Sequence, residues 1–234
     1  MVKRLSGWLF GHRRIMLALF AAITVALVPS AAQLRADAGF KKMIPLTHPY
    51  MKTFVDYEGT FGGANRVVVA LLRKDGTIFD ADYMKALKAA TDDVFFVPGV
   101  DRATVQSLFT PNVRFIEVVE EGFAGGNVIP ATFQGTAADL ATVAINVQKA
   151  GLVGRLVSND LKGALIRADL LDADPQTGKR LAYASVAQKL EAIRDKYQNA
   201  STDVAIIGFA KAVGDITDGA REVRSEERRV GKEC

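Results

Sequence analysis

Cysteine is all but missing: among 234 residues it occurs once, as the terminal Cys234. That excludes a disulfide framework, a cysteine-based zinc site and a cysteine nucleophile within the body of the chain. Histidine is nearly as scarce, with His12 and His48 alone. A hydrolase needs a nucleophile, a base and an orienting group, and His48, beside Pro49, has no assignable partner. Acid is absent from residues 1–34, where Lys3, Arg4, Arg13 and Arg14 carry four positive charges. Between these basic ends, residues 35–223 hold 22 bases and 23 acids, a net charge of −1. The overall +4 therefore leaves no basic stripe on the body and does not point to a nucleic-acid partner, and none is expected.

Only one long apolar run exists, Ile15–Val28, with Thr24 as its single polar member. Fourteen residues match a signal-peptide core, and Ser30-Ala31-Ala32 offers a cleavage site. The apolar character continues to Leu34, which makes a span of the roughly 20 residues that a bilayer crossing needs. Arg13 and Arg14 on the N-terminal side place that end in the cytoplasm, and Trp8 and Phe10 suit an interfacial anchor. Residues 1–34 are thus expected to be a cytoplasmic leader followed by a first transmembrane helix over Ile15–Leu34, with a cleaved signal peptide as the competing reading. The chain beyond Leu34 is expected outside the cytoplasm. No charge falls between Ile15 and Leu34, so this span holds no proton-relay carboxylate.

Residues 35–65, with Pro45, Pro49 and Gly62-Gly63, read as a connector packed on a domain. Arg66–Leu72 is a β-branched strand closed by the turn Lys74-Asp75-Gly76. Asp80 is placed to cap a helix over 81–94, where Tyr83, Leu87, Ala90 and Val94 form one apolar stripe. After Pro98-Gly99, Val100–Phe109 reads as a second strand. Phe115–Val119 predicts a short strand, with Gly122, Gly125 and Gly126 as turn markers. Thr136 and Asp139 form a capping-box start for a helix whose Leu140, Val143, Val147 and Ala150 share a face until Gly151. Residues 163–171 alternate, with Leu165, Arg167 and Asp169 on one side and Ile166, Ala168 and Leu170 on the other. Asp174–Gly178 is a turn. Ser185 with Gln188 predicts a second capping box, opening a helix lined by Val186, Leu190, Ile193 and Tyr197. Asp203–Ala210 closes as a buried strand. Strand, helix, strand occurs twice, which predicts an α/β (α+β) class with a ferredoxin-like split βαβ sandwich over residues 35–210.

No motif of a reacting centre emerges. Asp169, Asp172 and Asp174 lack the register of a calcium loop. The glycines at 122, 125 and 126 are followed by no helix N-terminus to hold a phosphate, and Lys179 has neither the preceding glycines nor the following hydroxyl of a P-loop. The expectation is no enzymatic activity and no catalytic, cofactor or metal residue.

Phe40-Lys41-Lys42-Met43-Ile44-Pro45 with His48-Pro49-Tyr50, then Phe61-Gly62-Gly63-Ala64-Asn65, Val97-Pro98-Gly99-Val100, Thr110-Pro111-Asn112 and Ile207-Gly208-Phe209-Ala210 succeed one another along the chain. In order and spacing, over about residues 1–223, they resemble the N-terminal part of RND-superfamily exporters of the MMPL-like hydrophobe/amphiphile efflux branch. The resemblance implies an inner-membrane permease exporting hydrophobic or amphiphilic compounds, lipids among them, by proton antiport. It also implies a retained first helix, a periplasmic porter region over 35–210, and an approach to a second transmembrane helix over 211–223. The coupling acids of that family lie in later helices, so this segment alone is expected not to transport. Implied partners are the membrane lipid bilayer, the amphiphilic substrate, a homo-oligomer of the full-length protein and a periplasmic or outer-membrane component. Phe61, Phe115, Phe123 and Phe133 are candidate apolar contacts, with core or loop packing the simpler role for each; the substrate-binding residues stay unassigned. Arg224–Cys234 resembles the translation of a sequencing-library adapter and is expected to be an artefact. The competing reading is a self-contained membrane-anchored or secreted periplasmic ligand-binding domain.

Overall fold

The computed structural model of the chain describes residues 12–32, 45, 47–61, 65–120, 122–171, 173, 178, 181–216 and 218–219. The chain separates into two units, residues 1–39 and 40–234. The first contains helix α1, Arg13–Ala32, with Pro29 inside its last turn. Ile15, Leu17, Leu19, Phe20, Ile23, Val25, Leu27 and Val28 are all exposed along it. Among the described residues no helix is long and apolar enough to cross a membrane. The unbroken apolar stretch Ile15–Val28 measures about 21 Å at a rise of about 1.5 Å per residue, against a hydrocarbon core of about 30 Å. The described residues thus fall short of the span expected from Ile15 to Leu34, and Leu34 lies outside them.

The second unit begins with an unexpected element. Where a connector was predicted, Pro49–Phe61 is a helix, α2. Pro49 stands in its first turn, where a missing N–H costs nothing and the fixed φ suits a helix. The N–H groups of Met51 and Lys52 bond to His48 O. Tyr50, Phe54, Tyr57 and Phe61 recur at helical spacing, a stripe hidden in the sequence by the neighbouring prolines.

The body is an α+β assembly. Its strands are β1 (Arg66–Arg73), β2 (Val100–Gln106), β3 (Arg114–Val119), β4 (Gly122–Asn127), β5 (Gly163–Leu170) and β6 (Thr202–Gly208), with helices α3 (Ala81–Phe95), α4 (Ala137–Lys149) and α5 (Tyr183–Tyr197) between them. Four strands make one sheet in the order β2-β5-β1-β6, and every adjacent pair is antiparallel. The units β1-α3-β2 and β5-α5-β6 therefore interleave, which is the strand order of a split βαβ sandwich.

One face of this sheet is core. Val67, Val69 and Leu71 of β1 stand opposite Ala168, Ile166 and Ala164 of β5, and all six are fully buried. The expected stripe of α3, Tyr83, Leu87, Ala90 and Val94, and that of α5, Val186, Leu190, Ile193 and Tyr197, are buried in the same core. Tyr83 also ties helix to sheet: its hydroxyl donates to Leu71 O at 2.8 Å and accepts from Ala164 N–H at 2.9 Å. The opposite sheet face is more open, with Leu72 and Ile207 exposed.

The caps separate two kinds of outcome. Asp80 accepts from Tyr83 N–H at the start of α3, and the Thr136–Asp139 capping box opens α4. The second predicted box fails, because α5 starts from Ala182 without a side-chain cap. Ser185 already lies inside its first turn, since Tyr183 is drawn into the helix while its ring packs edge-on against Phe209 at 5.4 Å. The predicted final strand is also shorter. It ends at Gly208, and residues 209–216 are helical. Likewise β2 ends at Gln106 rather than Phe109. The Asp174–Gly178 turn is described only at Gly178, whose positive φ of 64 suits it.

The glycines read as turn markers instead build β4, which pairs with β3 so that Phe115 faces Gly126 and Val118 faces Phe123. A side chain at Gly125 would stand 2.7 Å from Phe115 O, and one at Gly126 3.4 Å from the Phe115 ring. Close approach of the partner strand is what glycine provides at 125 and 126, while Gly122, at a φ of 131 with open space around it, stands at the turn as predicted.

Candidate functional site

The residues singled out in the sequence do not converge. His48 is exposed and its ring lies 5.3 Å from that of Tyr50. Asp169 is bound by Arg66, at 2.6 Å between Oδ1 and Nε, while Asp172, Asp174 and Lys179 lie outside the described residues. Phe133 packs edge-on against Phe109 at 6.3 Å and belongs to the margin of the core. Phe115 sits under Lys149 Nζ at 5.5 Å, and Phe123 is exposed at the end of the hairpin. The side chain of Phe61 is outside the described set. Among the described residues no group of three or more His, Cys, Asp or Glu could hold a metal.

The structure gathers a different set. β2 follows β5 at Asp101 opposite Asp169, then bulges, so that Gln106 is the next partner, opposite Arg167. Bulges re-aim side chains and are enriched near sites. Here Thr104 patches the ladder: its hydroxyl accepts from Asp169 N–H at 2.9 Å and donates to Asp101 O at 2.8 Å. Past the bulge, residues 152–157 take over the edge of β5. Leu165 N–H bonds to Leu156 O at 2.8 Å, and Val157 bridges Ala164. Gly151 and Gly154, at φ of 60 and 79, make the tight reversals that this turn requires.

A cavity of about 160 Å³ opens at this seam. Arg114, Arg155 and Arg167 line it together with Gln106, Asn112, Val113, Ala150, Leu152 and Leu156; Arg114 and Arg155 are exposed and Arg167 is half-buried. The three arginines come from the start of β3, the 152–157 turn and the middle of β5. Arg167 Nη2 donates to Gln106 Oε1 at 2.6 Å, which fixes the guanidinium without neutralising it. Asn112 is held by donating from Nδ2 to Val105 O at 2.9 Å. Among the described residues no carboxylate lines the cavity. The acid on the neighbouring hairpin, Glu117, is engaged by Lys149 at 2.5 Å, and Asp169 by Arg66. The site is therefore cationic, with a polar lining that is partly open to solvent.

Sequence reasoning met only Arg167, as one member of an alternating strand. Arg114 and Arg155 lie 53 and 12 residues from it, and no motif announces the bulge that brings Gln106 alongside. No local spacing in the sequence groups these three arginines.

No protein-family model matches the chain. A 93-residue stretch, 37% of the chain, is 28% identical to a putative membrane protein of Methanocaldococcus jannaschii. The chain spans 24% of that protein's length.

Proposed function

We propose that this chain is the N-terminal part of an inner-membrane RND-type permease that exports hydrophobic or amphiphilic compounds by proton antiport, with α1 anchored in the bilayer and the α+β body on the periplasmic side. The observation that carries the reading is α1. Its exposed apolar side chains, from Ile15 to Val28, fall on every side of the helix rather than on one stripe. A helix that is apolar all round is a buried one, and each such side chain gains about 1.5–3 kcal/mol on leaving water. Thr24, its one polar residue in that stretch, donates its hydroxyl to Phe20 O at 2.8 Å, so nothing polar needs water. The short apolar stretch is accommodated by local thinning of the bilayer and by Arg13 and Arg14 reaching to the headgroups. The 28% identity over 93 residues to a putative membrane protein of Methanocaldococcus jannaschii supports a membrane location.

The test has two parts. The chain, expressed in a bacterium, should stay in the membrane pellet after an alkaline carbonate wash, and a Cys234→Ser, Ser201→Cys variant should react with an impermeant maleimide from the periplasmic side. Protein in the wash, or labelling only after lysis, overturns the anchor. The source DNA read across codon 223 should then encode further apolar spans, and deletion of the gene should raise cellular accumulation of a hydrophobic dye. A second reading, an anchored or secreted ligand-binding domain, is favoured by the arginine-lined cavity. It predicts a stop codon soon after codon 223 and unchanged dye accumulation.

A further inference from the structure

We propose that the cavity between β2, β3 and the 152–157 turn is a binding site for a phosphate-class oxyanion, held by Arg114, Arg155 and Arg167. The inference stands on the cavity alone and does not depend on the export reading. Arg114, Arg155 and Arg167 line one small space, where their like charges repel, and the acids three and two residues along the chain from Arg114 and Arg167, Glu117 and Asp169, are committed to Lys149 and Arg66. A bound anion is what balances them. Guanidinium presents N–H donors in a planar fork matched to carboxylate and phosphate oxygens. A planar carboxylate offers two oxygens in one plane. Three guanidiniums arriving from three separate segments instead suit the divergent oxygens of a tetrahedral group.

Size sharpens the assignment. At about 30 Å³ per water in the liquid, a cavity of about 160 Å³ has room for about five waters. Whole drug-sized ligands need about 300–1,000 Å³, so the cavity takes a phosphate group and leaves any attached chain outside. Gln106 holds one of the three guanidiniums in place, accepting from Arg167 Nη2 at Oε1.

Free inorganic phosphate and a phosphate-bearing lipid headgroup share this chemistry. The full chain in neutral detergent is titrated with inorganic phosphate, and separately with short-chain phosphatidic acid, against chloride at constant ionic strength. Saturable binding of one or both is expected. Arg155→Gln and Arg114→Gln should each weaken it about tenfold or more, the loss of a charge-assisted bond. Arg102→Gln, whose guanidinium lies over the Phe95 and Phe96 rings at 5.6 and 5.5 Å instead, should leave it unchanged. Tighter binding of phosphatidic acid than of phosphate identifies a lipid headgroup, and equal or weaker binding identifies the free ion. No saturable binding of either probe, or binding that survives both arginine substitutions in chains with wild-type melting temperatures, overturns the proposal.

Discussion

Tyr83→Phe removes one oxygen atom from the centre of the body, and its consequence can be worked out from the two bonds that oxygen makes. The hydroxyl donates to Leu71 O at 2.8 Å and accepts from Ala164 N–H at 2.9 Å. It sits on a side chain only 4% exposed. Burial pushes the phenol far up from its ordinary value, so it is neutral at any working pH. Deleting it strands one buried acceptor and one buried donor, each costing about 1–3 kcal/mol when unsatisfied. Recovery of the hydroxyl's own desolvation offsets part of this. The net loss is about 2.5 kcal/mol, which for a chain of this size is about 5–10 °C in melting temperature. Denaturant unfolding of the full chain in detergent, followed by Tyr and Trp fluorescence and by circular dichroism, measures it at pH 6 and at pH 9. The same loss is expected at both. A change below about 0.5 kcal/mol, within the scatter of surface substitutions, would refute the reasoning by showing that the two backbone groups find other partners.

Gly208→Ala should destabilise by about 1–3 kcal/mol, the cost of forcing backbone apart. Its φ is 143 and the added carbon would stand 2.5 Å from Arg66 O; a melting curve unchanged from wild type would contradict this. Thr136→Ala should cost about 1 kcal/mol by opening the capping box of α4, read by urea unfolding. Burial opposes the charge on Asp93, but bonds from Lys196 and Tyr197, each 2.7 Å, hold its carboxyl below the usual range. Because the folded pKa is lowered, this contact stabilises above the unfolded value of about 3.9 and is lost as pH falls through the folded value. Asp93→Asn should therefore flatten the acid side of a stability-against-pH curve, and an unaltered curve would remove Asp93 from the account. Val118→Thr on the exposed hairpin should change stability by less than about 0.5 kcal/mol, checked by the same unfolding.

Periodicity and capping chemistry were legible because they are local. Tyr83, Leu87, Ala90 and Val94 announce a buried face whatever lies opposite, and Asp80 and Thr136 act on N–H groups within three residues. The doubled strand-helix-strand pattern was legible for the same reason and led directly to the interleaved sheet. The features that sequence misread depend on partners distant in the chain. Gly125 and Gly126 read as turns until Phe115 is known to lie against them. Ser185 reads as a cap until the Tyr183 ring is found packed on Phe209. Pro49 masks α2 because a proline that starts a helix and one that breaks it are the same letter. The arginine cavity was least legible of all: it exists only where the β2 bulge, the start of β3 and the 152–157 turn meet β5, and each contributes residues unremarkable alone.

The pairing of Val67 with Gly208 has a mechanical consequence. β1 and β6 are antiparallel neighbours, so the chain comes into the sheet at Arg66 and leaves it after Gly208 at the same end. A pull applied across these two points would load the hydrogen bonds between β1 and β6 one after another, as in opening a zipper, rather than all at once in shear. The body is thus built to be spliced into a host chain at a single doorway, and it would yield to traction at that doorway through the Gly208 end of β6 first, while the Tyr83 anchor at the far end of β1 held longest.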